Sequence, residues 1–97
     1  MNRTGTIRNP ARARTAKKTM AAIHAEALVI SENLRMLMAR YRDTQAEVAG
    51  FLGIGVRTFE GRLAAPWEFR MEELEGIAQR YDVTVGLLLK PIRFDDD

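Results

Sequence analysis

Cysteine is absent from this 97-residue chain, and histidine and serine occur once each, as His24 and Ser31. Without cysteine there is no disulfide framework, no thiolate metal site and no thiol nucleophile. A single histidine and a single serine leave no material for a multi-histidine metal centre or catalytic constellation. Long apolar runs are missing as well. Ala27-Leu28-Val29-Ile30 is far too short to cross a bilayer. The sequence is therefore not expected to be an enzyme, to hold a metal or cofactor, or to enter a membrane.

What is present suits one small globular domain: 46% apolar and 29% charged residues, in a length that leaves no room for a second core. The net charge of +2 conceals an asymmetry. Residues 1–20 carry Arg3, Arg8, Arg12, Arg14, Lys17 and Lys18 and no acid, while the remaining 9 bases face all 13 acids. A basic arm on a mildly acidic body is a common way to meet phosphate, the alternative being a solvated leader. An arginine-rich, acid-free start is also the composition of an organellar transit peptide, but the periodic segment that follows accounts better for it.

Residues 1–9 have no periodicity and contain Gly5, which predicts a flexible start. Asn9-Pro10 is a helix-start signal, since Asn caps and Pro at the first helical position loses no needed N–H. Apolar residues then fall at Ala16, Met20, Ile23, Ala27, Ile30, Leu34, Leu37 and Tyr41, in steps alternating between four and three. Such a 3.5-residue stripe is a seam for another chain or for the body's own core. Either one helix runs from Pro10 to Arg42, or Ser31 caps a second helix after an Ala-rich first one.

Residues 43–90 divide into four more helical pieces. Thr44 caps Gln45 to Leu52, with Glu47 placed to complete a capping box. Gly53-Ile54-Gly55 forms a tight turn, and Val56 to Ala64 or Ala65 follows with Val56, Phe59 and Leu63 on one face. After Pro66, Met71 to Tyr81 turns Met71, Leu74, Ile77, Ala78 and Tyr81 inward. Thr84 caps Val85 to Leu89, and Pro91 ends it. Nothing alternates with period two, so no sheet is expected.

The segment Thr44 to Phe59 carries the functional signal. It reads as two short helices joined by a turn that needs glycine, with Ala49 small where the helices cross, Gly53 supplying a left-handed backbone, and Ile54 filling the angle between them. Val48, Leu52 and Phe59 fill the core beneath. This is the composition of a helix-turn-helix. At 100° per residue, the face of the second helix opposite Phe59 and Leu63 carries Arg57, Gly61 and Ala64, with Thr58 and Glu60 on its flanks.

From Ser31 to Leu89, with these spacings and the trailing helices, the sequence resembles the phage repressor and Cro-like (XRE-type) helix-turn-helix family. Thr58 to Phe69, with its short Pro66-containing link, resembles small phage and prophage regulators of that group. The resemblance implies an all-α, five-helix repressor-like domain over residues 30–92. Before it come a basic arm and an Ala-rich, extra or extended N-terminal helix (1–29), and after it an acidic tail (93–97). It implies a cytoplasmic DNA-binding transcriptional regulator, a repressor by occupancy, acting on double-stranded DNA as a homodimer. Gln45 would bond a phosphate from its helix N-terminus. Val56 to Gly61 would enter the major groove, where Arg57 can hold a guanine edge bidentately. Thr58 would meet a phosphate or base, and Glu60 is tolerable only beside a cytosine amino group. Gly61 offers no side chain, so part of any specificity would rest on DNA shape.

Arg40, Arg42 and Arg62 are expected to flank the groove, and Arg12, Arg14, Lys17 and Lys18 of the arm to supply salt-sensitive phosphate contacts. The acidic turn Glu72, Glu73 and Glu75 should face away from DNA, as an ordinary helix start. Met36 and Met38 are expected as core fillers and His24 as surface packing. Phe51 and Trp67 are expected partly outside and Phe69 inside. Leu87, Leu88, Ile92 and Phe94 give the C-terminal end surplus apolar surface, a second place for dimer contact. The alternative reading is a protein-interaction or assembly module that keeps the same scaffold and uses the N-terminal seam.

Overall fold

Thr19 has the extended backbone of a helix cap, and its hydroxyl accepts the Ala22 N–H at 3.1 Å. A single helix, α1 (Met20–Tyr41), begins there. The computed structural model describes residues 18–93, and within them α1 is unbroken at Ser31. The cap considered for Ser31 is absent because its side chain has a different partner. Ser31 is buried, and its hydroxyl donates to the Leu63 carbonyl at 2.7 Å. The flexible start, the helix start at Asn9-Pro10, Ala16, Phe94 and the acidic tail at Asp95-Asp96-Asp97 lie outside the described residues.

Arg42 ends α1 with a left-handed backbone, φ 58°; its N–H bonds the Ala39 carbonyl and the Asp43 N–H bonds Met38. Then follow α2 (Gln45–Leu52), α3 (Val56–Ala64), a 3-10 turn (Pro66–Glu68), α4 (Met71–Tyr81) and α5 (Val85–Leu88). No strand occurs among the described residues, so the all-α expectation holds. Thr44 accepts the Glu47 N–H at 3.0 Å while Glu47 accepts the Thr44 N–H at 2.8 Å, the capping box expected of that spacing. Gly53 carries φ 75°, and Thr84 caps α5 through the Leu87 N–H.

Each helix lends one face to a shared core. Ile30, Leu34, Leu37 and Met38 of α1 meet Val48 and Ala49 of α2, Phe59 and Leu63 of α3, Leu74, Ile77 and Ala78 of α4, and Leu88 of α5. Phe69, in the link after the 3-10 turn, is buried edge-on to Phe59 with ring centroids 6.3 Å apart. Full burial of a side chain such as Phe59 contributes about 2 kcal/mol. α2 lies against both α3 and α4, while α1 crosses the 3-10 turn and α5. The α2–α4 approach is tight: a Cβ on Gly76 would come within 2.7 Å of the Leu52 side chain.

Three apolar residues expected inside are outside. Val56 and Met71, 39% and 61% exposed, are the first residues of their helices, and the periodic stripe there runs one position past the edge of the core. Met36 sits roughly 200° around α1 from Leu34, so its neighbour Met38 enters the core and Met36 does not.

The C-terminal segment is held by one side chain. Asn33 is 1% exposed; its amide Nδ2 donates to the carbonyls of Leu88 (2.8 Å) and Lys90 (2.5 Å), and its Oδ1 accepts the Ile92 N–H at 3.1 Å. An interior asparagine on a helix is costly unless every polar atom is used, and here both ends of the amide are bonded.

Candidate nucleic-acid interface

The candidate surface starts at the turn between α2 and α3. Gly53 adopts the left-handed conformation that a side chain would oppose, its N–H bonds Gly50, and the Ile54 N–H bonds Ala49 at 3.0 Å. Half-buried Ile54 packs onto the core, and Gly55 opens α3 with an extended backbone and no side-chain cap. This turn directs Phe59 and Leu63 inward and leaves Val56, Arg57, Thr58, Glu60, Gly61 and Ala64 exposed on α3. The face deduced from helical periodicity is thus the exposed one, extended by Val56.

Among the described residues no ion pair holds Arg57, whose guanidinium is available to a ligand. No side chain fills the space beside Gly61, where an added Cβ would have nothing within 4 Å. Gln45 is half-buried in the first turn of α2, immediately after the capping box, and α2 and α3 are packed on one another. Arg40 and Arg42 are exposed at the end of α1, in the connection that leads to Gln45.

Arg62 does not belong with this group. Its Nε and Nη2 donate to the two carboxylate oxygens of Glu73 at 2.9 and 3.2 Å, so its charge is committed to joining α3 to α4. The reason lies in Glu73, which is 6% exposed and therefore needs a counter-charge. Hydrogen bonds from Arg62 hold the Glu73 carboxyl below its usual range against the opposing effect of burial, and the Arg70 N–H adds a third bond at 3.0 Å. The expected acidic turn is accordingly split: Glu72 and Glu75 are solvated, and Glu73 is structural.

Of the arm residues, Arg12, Arg14 and Lys17 lie outside the described residues. Lys18 is exposed and paired with Glu26 at 2.5 Å. With 1.5 Å of rise per residue, Lys18 lies roughly 33 Å along α1 from Arg40. The structure therefore gathers Gln45, Arg57, Thr58, Glu60 and Gly61 on two adjoining helices, and leaves Lys18 at the far end of the longest one.

A second network had no forecast from the sequence. At the far end of α1, Asp43 accepts from Arg80 Nη2 (2.6 Å), Arg80 Nε (2.9 Å) and the Tyr81 hydroxyl (2.6 Å). The Arg80 hydrogen bonds hold the Asp43 carboxyl below its usual range. Burial and the hydrogen bond to Asp43 push the Tyr81 hydroxyl well above the ordinary tyrosine range. Arg80 also lies over Phe51, 5.0 Å from the ring centroid, and Tyr41 tilts against Tyr81 at 5.6 Å. These groups line an open cleft of about 590 Å³. The exposed aromatic expected at Phe51 is thus partly covered by an arginine. Trp67, also expected outside, is 38% exposed and stacks on His24 with centroids 3.9 Å apart.

Among the described residues no group of side chains has the composition of a metal site, and no helix is long and apolar enough to cross a membrane. Compared with protein-family models, with curated proteins and with solved structures, the chain matches none.

Proposed function

We propose that the chain is a DNA-binding transcriptional regulator, a cytoplasmic repressor, in which α2 and α3 form a helix-turn-helix and α3 enters the major groove. The observation that carries this reading is the outward face of α3. It joins Arg57, a cation with no partner among the described residues, to the accessible Thr58, Glu60 and Gly61, with Gln45 beside it on α2. Arg57 is the base-reading residue, by bidentate donation to a guanine edge, which is worth about 1–3 kcal/mol of discrimination. Gln45 bonds a phosphate from the start of α2, and Arg40 and Arg42 lie along the backbone beside it. Glu60 opposes phosphate and sets a preference for cytosine at its position. The chain acts as a homodimer, with the two α3 helices about 34 Å apart in successive major grooves. Arg12, Arg14, Lys17 and Lys18 of the arm add phosphate contacts that carry no sequence information.

The test is selection from a random pool of duplex DNA at physiological salt. The expected product is a two-fold symmetric motif that disappears with Arg57→Ala. Salt-sensitive binding without enrichment would refute sequence reading. The alternative is a protein-interaction or assembly module working through the N-terminal helix. It is favoured by a separate observation: Met20 and Ile23, at the start of α1, are 63% and 42% exposed.

A further inference from the structure

The stripe that builds the core does not stop where the core stops. At 100° per residue, Met20, Ile23 and Ala27 fall within roughly 40° of fully buried Leu34 around α1. They therefore continue the face on which Ile30, Leu34 and Leu37 are covered by the body. Toward the N-terminus the cover runs out: Ala27 is half-buried, Ile23 is 42% exposed and Met20 is 63% exposed. Trp67, stacked on His24, extends the apolar surface to one side. The neighbouring Ala21, Ala22 and Ala25 are all exposed and short, so a second helix can approach closely.

Charge selects what covers this stripe. Residues 8–18 contain Arg8, Arg12, Arg14, Lys17 and Lys18 and no acid, whereas residues 19–32 contain Glu26 and Glu32 and no lysine or arginine. A partner helix laid parallel and in register would set base beside base and acid beside acid. A copy of the same helix laid antiparallel sets the basic stretch of each chain against the acidic stretch of the other. Lys18 already reaches Glu26 within its own chain, so an exchange between copies creates no new unpaired charge. The seam agrees with that direction. With the two-fold axis between Ala21 and Ala22, Met20 of one copy lies against Ile23 of the other, and Glu26 lies against the Lys17-Lys18 pair.

We infer that the start of α1 is the homodimer contact of this protein: an antiparallel pairing through Met20 and Ile23, with Lys17-Lys18 facing Glu26 across the two-fold. This rests on the dimeric part of the function proposed above and chooses the N-terminal seam over the C-terminal end for it.

The experiment is sedimentation equilibrium of the full chain without DNA, up to about 1 mM, the weak end of measurable association. A dimer is expected, weakened by added salt, and abolished by Ile23→Glu with the helical circular dichroism unchanged. Ile23 supports no core residue, so this variant keeps its fold. The absence of cysteine makes direction measurable. A mixture of Met20→Cys and Ile23→Cys chains should oxidise to the mixed disulfide, and Ala27→Cys should not cross-link to itself, its copies being roughly 16 Å apart along the axis. A monomer throughout, a dimer indifferent to Ile23→Glu, or self-linking of Ala27→Cys would each overturn the proposal. A monomer that still selects a half-site motif refutes the pairing alone. A dimer that selects nothing refutes the DNA reading alone.

Discussion

Asn33 makes three hydrogen bonds from inside the core, to backbone groups 55 to 59 residues away in sequence. Its replacement by Ala would leave two carbonyls and an N–H without partners at a site with little solvent access. The expected loss is about 2 kcal/mol, read as a lower urea midpoint at constant slope. Asn33→Asp has nearly the same shape but points a carboxylate oxygen at the Leu88 and Lys90 carbonyls. It should therefore destabilise more than Ala at neutral pH and recover part of the difference in acid. Arg57 stands at the other extreme of the same scale. It is exposed and unpaired among the described residues, so Arg57→Ala should leave the thermal midpoint unchanged while DNA selection is lost.

Glycines separate the elements by what each turn or helix demands. Gly53 ends α2 with φ 75°, and Gly53→Ala should cost about 1 kcal/mol through backbone strain alone. Gly61 lies inside α3 with open space beside it, so Gly61→Ala should stabilise by up to about 1 kcal/mol and raise the melting temperature by several degrees. Differential scanning calorimetry of the two variants should show shifts of opposite sign. Gly76→Ala gains helix propensity but pushes on the Leu52 side chain, so its shift should fall between the other two. Helix limits were legible in the sequence because their causes are local: Thr44 with Glu47, Gly53, and Thr84 all act within four residues of themselves. The exposed face of α3 was legible for the same reason, since periodicity alone orients Arg57, Thr58, Glu60 and Gly61. What was not legible is long-range. Arg62 finds Glu73 and Arg80 finds Asp43 across 11 and 37 residues, and no pattern in the chain distinguishes these bases from the solvated ones. Ser31 misled because a serine on a helix reads as a cap until its distant carbonyl partner is known.

For the whole molecule, the two internal ion pairs set the pH range of stability. Asp43 and Glu73 titrate below their unfolded values, so the stability they contribute is present above about pH 4 and is lost as pH falls through their folded values. Tyr81 titrates above its unfolded value, so its contribution holds below about pH 10 and is lost as pH rises further. Melting temperature plotted against pH should show a broad plateau with an acid fall and an alkaline fall. Tyr81→Phe should remove the alkaline fall selectively. The Asn33 clamp has one more consequence, for the order of synthesis. Its donors and acceptors span residues 33 to 92, so the first helix can leave the ribosome, and α2, α3 and α4 can gather on it, while the carbonyls that Asn33 requires are still in the exit tunnel. Until residue 92 emerges the nascent chain carries a buried amide with nothing to bond, and completion of the fold is tied to completion of translation.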